Sequence, residues 1–330
     1  MTTTLRIATF NLENLRDDAD ADPPLDRRLG VLRPQLERLQ ADVLCLQEVD
    51  GQRPPGGGPR ELRALDRLLA GTRYASFHRA TSLSAAGAER GVSDRHNLVI
   101  LSRFPIQSAE QVRHDMVPPP HYRPVTAEPA AATATALTWD RPCLHAGLTL
   151  PDGRTLHVVN LHLRAPLAAA VPGQKESAFV WRSVPGWAEG FFMATVKRVG
   201  QATEARMLVD RLLDAEPDAL VCVAGDCNAE EREMPLRVLC ADPDDTGNAA
   251  LAMRSLVNLE HQVPVDQRYT VRHGGRQLML DHILASRALA GGVTQVAIHN
   301  ADLGDELVAQ SLAHASPESY HAPMVAAFAL

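Results

Sequence analysis

Little in this sequence suits a membrane span, a disulfide scaffold or a nucleic-acid coat. No apolar run approaches the roughly 18 to 20 residues that cross a bilayer, because charge or proline breaks the longest ones. An integral membrane protein is therefore not expected. The five cysteines, Cys45, Cys143, Cys222, Cys227 and Cys240, are odd in number, and no two show the two-residue spacing of a zinc knuckle or redox motif. Neither a disulfide framework nor a structural zinc is expected, and Cys45 and Cys222 read as small buried hydrophobes. Positive charge is also short: 33 Lys and Arg face 40 Asp and Glu, a net charge of −7 that lacks the basic stripe of a DNA-coating protein. Aromatics make up only 4% of the chain, which argues against a processive duplex-DNA enzyme. The N-terminus enters Leu5-Arg6-Ile7-Ala8-Thr9-Phe10 with no basic, apolar and small-residue leader pattern, so a cytoplasmic location is the expectation.

What is present is a chain of 330 residues, 45% hydrophobic and 22% charged, able to bury a sizeable core. Short aliphatic runs at 5–10, 42–46, 97–101, 156–161, 219–224, 278–284 and 324–330 have strand length. Between them, 27–40 places Leu29, Leu32, Leu36 and Leu39 at helical spacing, and 202–214 does the same with Met207, Leu208, Leu212 and Leu213. The mixture predicts an α/β or α+β fold. Residues 53–59 and the stretch 117–129, with five prolines, read as loops. Neither looks like a linker, so residues 1–330 are expected to form a single domain.

Polar groups fall at the ends of these runs. Asn11 follows the first, Gln47-Glu48 the second, His162 the fourth, Gly225-Asp226-Cys227-Asn228 the fifth, and Asp281 follows Met279-Leu280. If the strands share a sheet edge, these side chains converge on one pocket. Glu48 is the kind of oxygen donor that Mg²⁺ or Mn²⁺ requires; the plain alternative is an exposed acid at a strand end. Asn11 can orient a carboxylate or a water, or can simply form a turn. Gly225 permits a tight turn that presents Asp226 and Asn228 together. His162 can contact a phosphoryl oxygen or sit satisfied in the core. Asp281 needs a partner if buried, and His321, just before the last strand, can be that partner.

On these residues the sequence resembles the endonuclease/exonuclease/phosphatase superfamily, the group that includes DNase I and the neutral sphingomyelinases. The resemblance rests on Thr9-Phe10-Asn11-Leu12, Leu46-Gln47-Glu48-Val49, the run Asn97 to Ile106, Asn160-Leu161-His162-Leu163, Gly225-Asp226-Cys227-Asn228, Leu280-Asp281-His282-Ile283-Leu284 and Ser319-Tyr320-His321-Ala322-Pro323, in the family's order. It implies a four-layered sandwich of two packed mixed β-sheets flanked by helices. It also implies Mg²⁺- or Mn²⁺-assisted hydrolysis of a phosphoester, with nucleic acid or a small-molecule or lipid headgroup as substrate. By motif match, Glu48 is the principal metal ligand with Asn11 beside it, Asp226 and Asn228 orient the attacking water and the phosphate, His162 contacts the phosphate, and Asp281 pairs with His321. His321 is then general base or protonated stabiliser of the phosphorane, and Asp226 is a competing base.

Two departures stand out. The family has Asp before the final His where this chain has Tyr320, and a phenol is a poor Mg²⁺ ligand at neutral pH, so Glu318 becomes a candidate acid. The segment at about 165–201 reads as an aromatic-rich insertion: Phe179, Trp181, Trp187, Phe191 and Phe192 fall within fourteen residues. Trp181 and Trp187, with Asn97, are accessory or substrate-contacting candidates, as in a lid or stacking platform. The plain alternative is a helical hairpin packed on the core or on a partner subunit. Clustering of Arg53, Arg60, Arg63, Arg90, Arg95, Arg113 and Arg123 around one mouth would favour nucleic acid. The alternative to an enzyme is a catalytically silent member that binds or interacts, and Tyr320 is the feature that allows it.

Overall fold

The computed structural model describes residues 4–18, 21–310 and 316–330. In chain order the strands are β1 (Thr4–Leu15), β2 (Val43–Val49), β3 (His78–Thr81), β4 (Asn97–Ser102), β5 (Ile106–Val112), β6 (His121–Tyr122), β7 (Thr135–Ala136) and β8 (Cys143–Thr149). They continue with β9 (Thr155–His162), β10 (Leu220–Asp226), β11 (Val257–Asn258), β12 (Val271–His273), β13 (Arg276–Leu278), β14 (Asp281–Ala285), β15 (Val293–Ile298) and β16 (Met324–Ala329). One sheet runs β15-β16-β1-β2-β4-β3 and the other β11-β14-β10-β9-β8-β5. Each is mixed around one central parallel pair, β1 with β2 and β9 with β10, and antiparallel neighbours flank each pair. A parallel pair needs a crossover, which α1 (Leu25–Leu39) supplies in the first sheet and α3 (Val184–Ala215) in the second.

Alternation along the strands builds four layers. Leu5 and Ile7 of β1 and Val43 and Cys45 of β2 point to the second sheet, where they meet Leu156, Val158, Cys222 and Ala224. The intervening Ala8, Phe10, Leu44 and Leu46 point outward onto Leu29, Leu32, Leu36 and Leu39 of α1 and onto α2 (Arg63–Leu69). On the other side Val159, Leu161, Val221 and Val223 cover Ala205, Leu208 and Val209 of α3. Each fully buried Leu contributes about 1.5–3 kcal/mol, so this double-sided burial is what fixes the register of the central strands. The expected sandwich is therefore observed. Cys45 and Cys222 lie in its middle as free thiols.

Three local expectations are corrected. The run 278–284 is not one strand: β13 ends at Leu278 and β14 starts at Asp281, so Asp281 opens a strand. The helix expected at 202–214 begins eighteen residues earlier, at Val184, where Ser183 Oγ accepts the Gly186 N–H at 3.0 Å; it is one long helix with no hairpin. Within 117–129, His121 and Tyr122 form a two-residue ladder with Thr135 and Ala136. β5 and β15 escaped the sequence reading because their outward faces are polar, which leaves no apolar run to see.

Candidate active site

The ends of β1, β2, β9 and β10 lie at one rim of the sandwich, and the antiparallel β4, β14 and β16 begin there. Asp226 and Asp281 are consequently direct register partners, although one ends a strand and the other begins one. Gly225 is required where β10 approaches β9: its φ is +145°, and an added Cβ would stand 1.9 Å from Leu161 O. Under the rim, Gln47 Nε2 donates to Asn160 Oδ1 at 2.7 Å, while Asn160 Nδ2 donates to Leu46 O and Val99 O. This buried amide bridge ties the two sheets together below the polar groups.

Asn11 is the hub. The Glu13 N–H donates to its Oδ1 at 2.9 Å, which fixes the amide orientation, so Nδ2 donates to Glu48 Oε1 (3.2 Å) and Asp226 Oδ2 (3.0 Å). It therefore presents a donor that steadies two carboxylates. Glu48 also accepts the Asn14 N–H at 3.0 Å. His162 Nε2 lies 3.4 Å from Asp226 and 3.7 Å from Glu48. Burial, with Arg141, His96 and His321 adding repulsion, lowers the His162 pKa well below the ordinary value, so its ring is neutral. Asp226 is 1% exposed, and Asn228 donates to it from both backbone and side chain. Burial and the neighbouring Asp281 raise its pKa to about 7.

His321 Nδ1 meets Asp281 Oδ2 at 2.8 Å, and Nε2 faces Asp226 Oδ2 at 4.0 Å. Burial pulls this histidine down, but the Asp281, Asp226 and Glu48 carboxylates outweigh it and raise the pKa to about 10. Among the described residues, eight non-glycine residues have positive φ, and five of them, Glu13, Asn14, Glu48, His96 and Asn228, border this site. Such conformations cost of order 1 kcal/mol or more each, so strain is concentrated where the chemistry groups are held.

Sequence reasoning missed several neighbours. Arg141, which always donates, reaches His96 Nδ1, so the His96 proton sits on Nε2 and goes to Asn14 Oδ1 at 2.9 Å. His96 adjoins the Asn97 motif and was open to notice on that ground. Glu13 is the extra acid near Tyr320: it accepts the Tyr320 N–H at 2.7 Å, and burial raises its pKa to about 7 against the pull of that bond and of His321.

The other candidates fall outside the cluster. The Tyr320 hydroxyl accepts the Ser316 N–H at 3.4 Å. Tyr320 and Glu318 line an adjacent groove with Glu13, Asn14 and Arg28, and Glu318 belongs to neither donor cluster described below. Asn97 donates to Val49 O and Ser93 O and accepts the Ser93 N–H, so it braces the chain after Glu48. Trp181 packs under Lys175, and Trp187 is half exposed beside Phe191. The α3 helix, which carries Trp187 and starts after Trp181, reaches the site further along, where Arg198 donates to Asn228 O and Gln201 to Arg141 O. The arginines divide: Arg53, Arg60 and Arg90 line one groove, while Arg95 and Arg113 stand with Arg141 beside His96.

Glu48, His162 and Asp226 bring one ligand atom each within 4.8 Å of one another, and Asp226, Asp281 and His321 form a second such trio. His162 Nδ1 and Asp281 Oδ1 are buried without a hydrogen-bond partner. A carboxylate-rich set of this kind fits a hard divalent cation.

Fold and rim together define a class, the two-sheet sandwiches that gather Asn, Glu, His, Asp and an Asp–His pair at one end. The model of the Endonuclease/Exonuclease/phosphatase family matches residues 8–305, and the chain belongs to that family. Solved structures share the fold. An endonuclease/exonuclease/phosphatase family protein from Bacteroides thetaiotaomicron is 15% identical, with TM-score 0.59 and 100% of both chains covered. The mannosyl-6-phosphatase of the same organism is 15% identical, with TM-score 0.57 and 98% of both chains covered. An AP endonuclease from Archaeoglobus fulgidus is 16% identical, with TM-score 0.51, and the match covers 99% of this chain and 100% of that one. The comparison with curated protein sequences gives no match.

Proposed function

We propose that this chain hydrolyses a phosphodiester by attack of an activated water, with Mg²⁺ or Mn²⁺ held at the rim by Glu48 with Asn11 beside it. The observation that carries the reading is the convergence of Glu48, His162, Asp226 and the Asp281–His321 pair, each with a polar atom within 4.0 Å of the next. A bound cation would neutralise phosphate charge, the main obstacle to anionic or water attack on a phosphodiester. Asp226, titrating near neutrality, is suited to take the proton of the attacking water. As the water oxygen bonds to phosphorus, the ester oxygen leaves with the bonding pair and takes a proton from solvent, while His321, held as a cation by Asp281, stabilises the charge on the phosphoryl oxygens. His162 presents a neutral N–H to the same space, and Asn228 fixes the Asp226 carboxylate.

The test is hydrolysis of bis-p-nitrophenyl phosphate and p-nitrophenyl phosphate with Mg²⁺, Mn²⁺ or EDTA. Metal-dependent turnover is expected, with preference for the diester and a loss of about 10²-fold or more in His321→Ala. Undiminished turnover in EDTA would refute the metal, and undiminished turnover in the variant would refute the role of His321. Silence with both esters, DNA and RNA in either metal would assign the chain to the silent, binding class.

A further inference from the structure

Beside the rim lies a small niche walled by cations. Its volume is about 50 Å³, room for a few water molecules and therefore for one tetrahedral oxyanion, and Arg95, His96, Arg113 and Arg141 line it. His96 stands between the niche and the rim: its Nε2 lies 3.8 Å from Glu48 Oε2, and its ring centroid is 5.8 Å from that of His162. Both of its nitrogens are taken, Nε2 by Asn14 Oδ1 and Nδ1 by Arg141, so the arginines are left as the donors to anything inside. The chain passes His96 with φ +56°, a conformation that suits glycine, and a side chain is kept there at a cost in backbone strain.

The positive charge here is unmatched contact by contact. Asp140 is the acid in the lining, and it is already held by Arg164 and by Lys197 Nζ at 3.1 Å. Asp94, next to Arg95 in the chain, pairs with Arg60 at 2.8 Å. Asp50 accepts the His96 N–H at 2.9 Å and Asp115 the Arg113 N–H at 2.7 Å, so both are spent on the backbone. Among the described residues, neither the Arg95 nor the Arg113 guanidinium has an ion pair or a hydrogen bond, and Arg141 reaches His96 and, at 3.5 Å, Leu163 O. Three guanidiniums around one small space repel one another until an anion enters. Each offers the planar fork that grips a phosphate through two parallel N–H bonds.

We propose that this niche takes a second, non-scissile anionic group of the substrate, a phosphate one linkage away from the ester that is cut. Arg95 and Arg113 then determine specificity, favouring substrates with two phosphates over simple diesters. The groove lined by Arg53, Arg60 and Arg90 lacks this character, because Arg60 is spent on Asp94 and Glu89 shares the lining. The inference rests on the hydrolytic reading of the rim, while capture of the anion is measurable without turnover. A nucleotide chain and a small sugar bisphosphate present the same group, and the test separates them.

The test is calorimetric binding to the full chain in EDTA, comparing thymidine 3′,5′-bisphosphate with thymidine 5′-phosphate, and fructose 1,6-bisphosphate with fructose 6-phosphate. At least one bisphosphate is expected to bind about ten-fold more tightly than its monophosphate, equivalent to about 1.4 kcal/mol, with the gap narrowing as salt rises. Arg95→Gln/Arg113→Gln should close the gap with an unchanged melting curve, whereas Arg53→Gln/Arg90→Gln, an equal loss of charge in the other groove, should leave it. Equal affinity within both pairs, or a gap that survives Arg95→Gln/Arg113→Gln, would overturn the proposal. A gap in the nucleotide pair assigns the group to a nucleic-acid strand, and a gap in the sugar pair alone assigns it to a small bisphosphate. Where the nucleotide pair shows it, thymidine 5′-(p-nitrophenyl phosphate) bearing a 3′-phosphate should exceed its 3′-hydroxyl form in kcat/KM with Mg²⁺ or Mn²⁺, through KM, and Arg95→Gln/Arg113→Gln should bring the ratio toward one. Silence of both esters with the binding gap intact would refute hydrolysis and leave the niche standing; turnover with no gap would refute the niche alone.

Discussion

Replacing Glu260 with Gln tests how the loop carrying Asp226 and Asn228 is held. Glu260 is 3% exposed, His282 is fully buried, and Glu260 Oε2 lies 2.9 Å from His282 Nδ1. His282 Nε2 meets Ala229 O at 2.9 Å, the residue directly after Asn228. Burial pushes Glu260 up and His282 down, but mutual attraction wins, leaving the Glu260 pKa lowered and the His282 pKa raised. The acid's share of stability is present above its ordinary value near 4.5 and is lost as pH falls through the lowered pKa. The histidine's share is present below its ordinary value near 6.5 and is lost as pH rises through the raised pKa. The pair therefore contributes most between about pH 4.5 and 6.5.

Breaking a buried ion pair costs about 3–5 kcal/mol when it strands a charge, but neutral His282 can keep its Nε2–H on Ala229 O. The expected loss is accordingly about 3 kcal/mol at pH 6, shrinking as pH rises from 6.5 through the raised His282 pKa. Urea denaturation of wild type and Glu260→Gln at pH 5, 6, 7.5 and 9.5 reads this directly from the midpoints. A difference that stays constant across that range, or one below about 1 kcal/mol at pH 6, would refute the charged pair.

Gly225→Ala should cost more than about 3 kcal/mol, since both the positive φ and the Leu161 carbonyl oppose a Cβ; a thermal melt near wild type would refute that close approach. Asp281→Asn removes the acceptor and charge facing His321 Nδ1, so the His321 pKa should fall from about 10 toward the ordinary 6.5, followed by NMR titration of the imidazole; an unmoved value would assign the shift to Asp226 and Glu48. Glu13→Gln should weaken Mn²⁺ binding by calorimetry more than Glu318→Gln, because Glu13 accepts the Tyr320 N–H at the rim while Glu318 does not; the reverse order would restore Glu318 as the recruited acid.

Much of the fold was legible because its central strands are buried on both faces and so appear as continuous apolar runs. Leu5, Ile7, Val43, Val158 and Cys222 announce themselves in this way, and α1 does so through its leucine spacing. Edge strands such as β5, with one solvated face, carry no comparable signal. The candidate site was legible in the same terms: Asn11, Glu48, His162 and Asp226 each follow a buried apolar run, where a polar group stands out. His96, Arg141 and Glu13 did not, because the first two sit in loops and Glu13 in the polar last part of β1, where a charged residue is ordinary.

The sequence by itself determined the set of chemical groups and their order, since strand burial and the glycine at 225 are local requirements. It also marked Tyr320 as a departure. Only the tertiary structure decided which groups meet. Asp281 opens a strand and Asp226 closes one, and they become partners because antiparallel pairing reverses the direction of one of them. Glu13 lies 307 residues from the Tyr320 N–H it accepts, and no local propensity encodes that contact. The same holds for the start of α3, whose aromatic residues read in the sequence either as a lid or stacking platform or as a helical hairpin packed on the core or on a partner subunit. In the structure Trp187 and Phe191 stand exposed, while Met193 and Ala194 pack on the loop residues Ala169 and Val171.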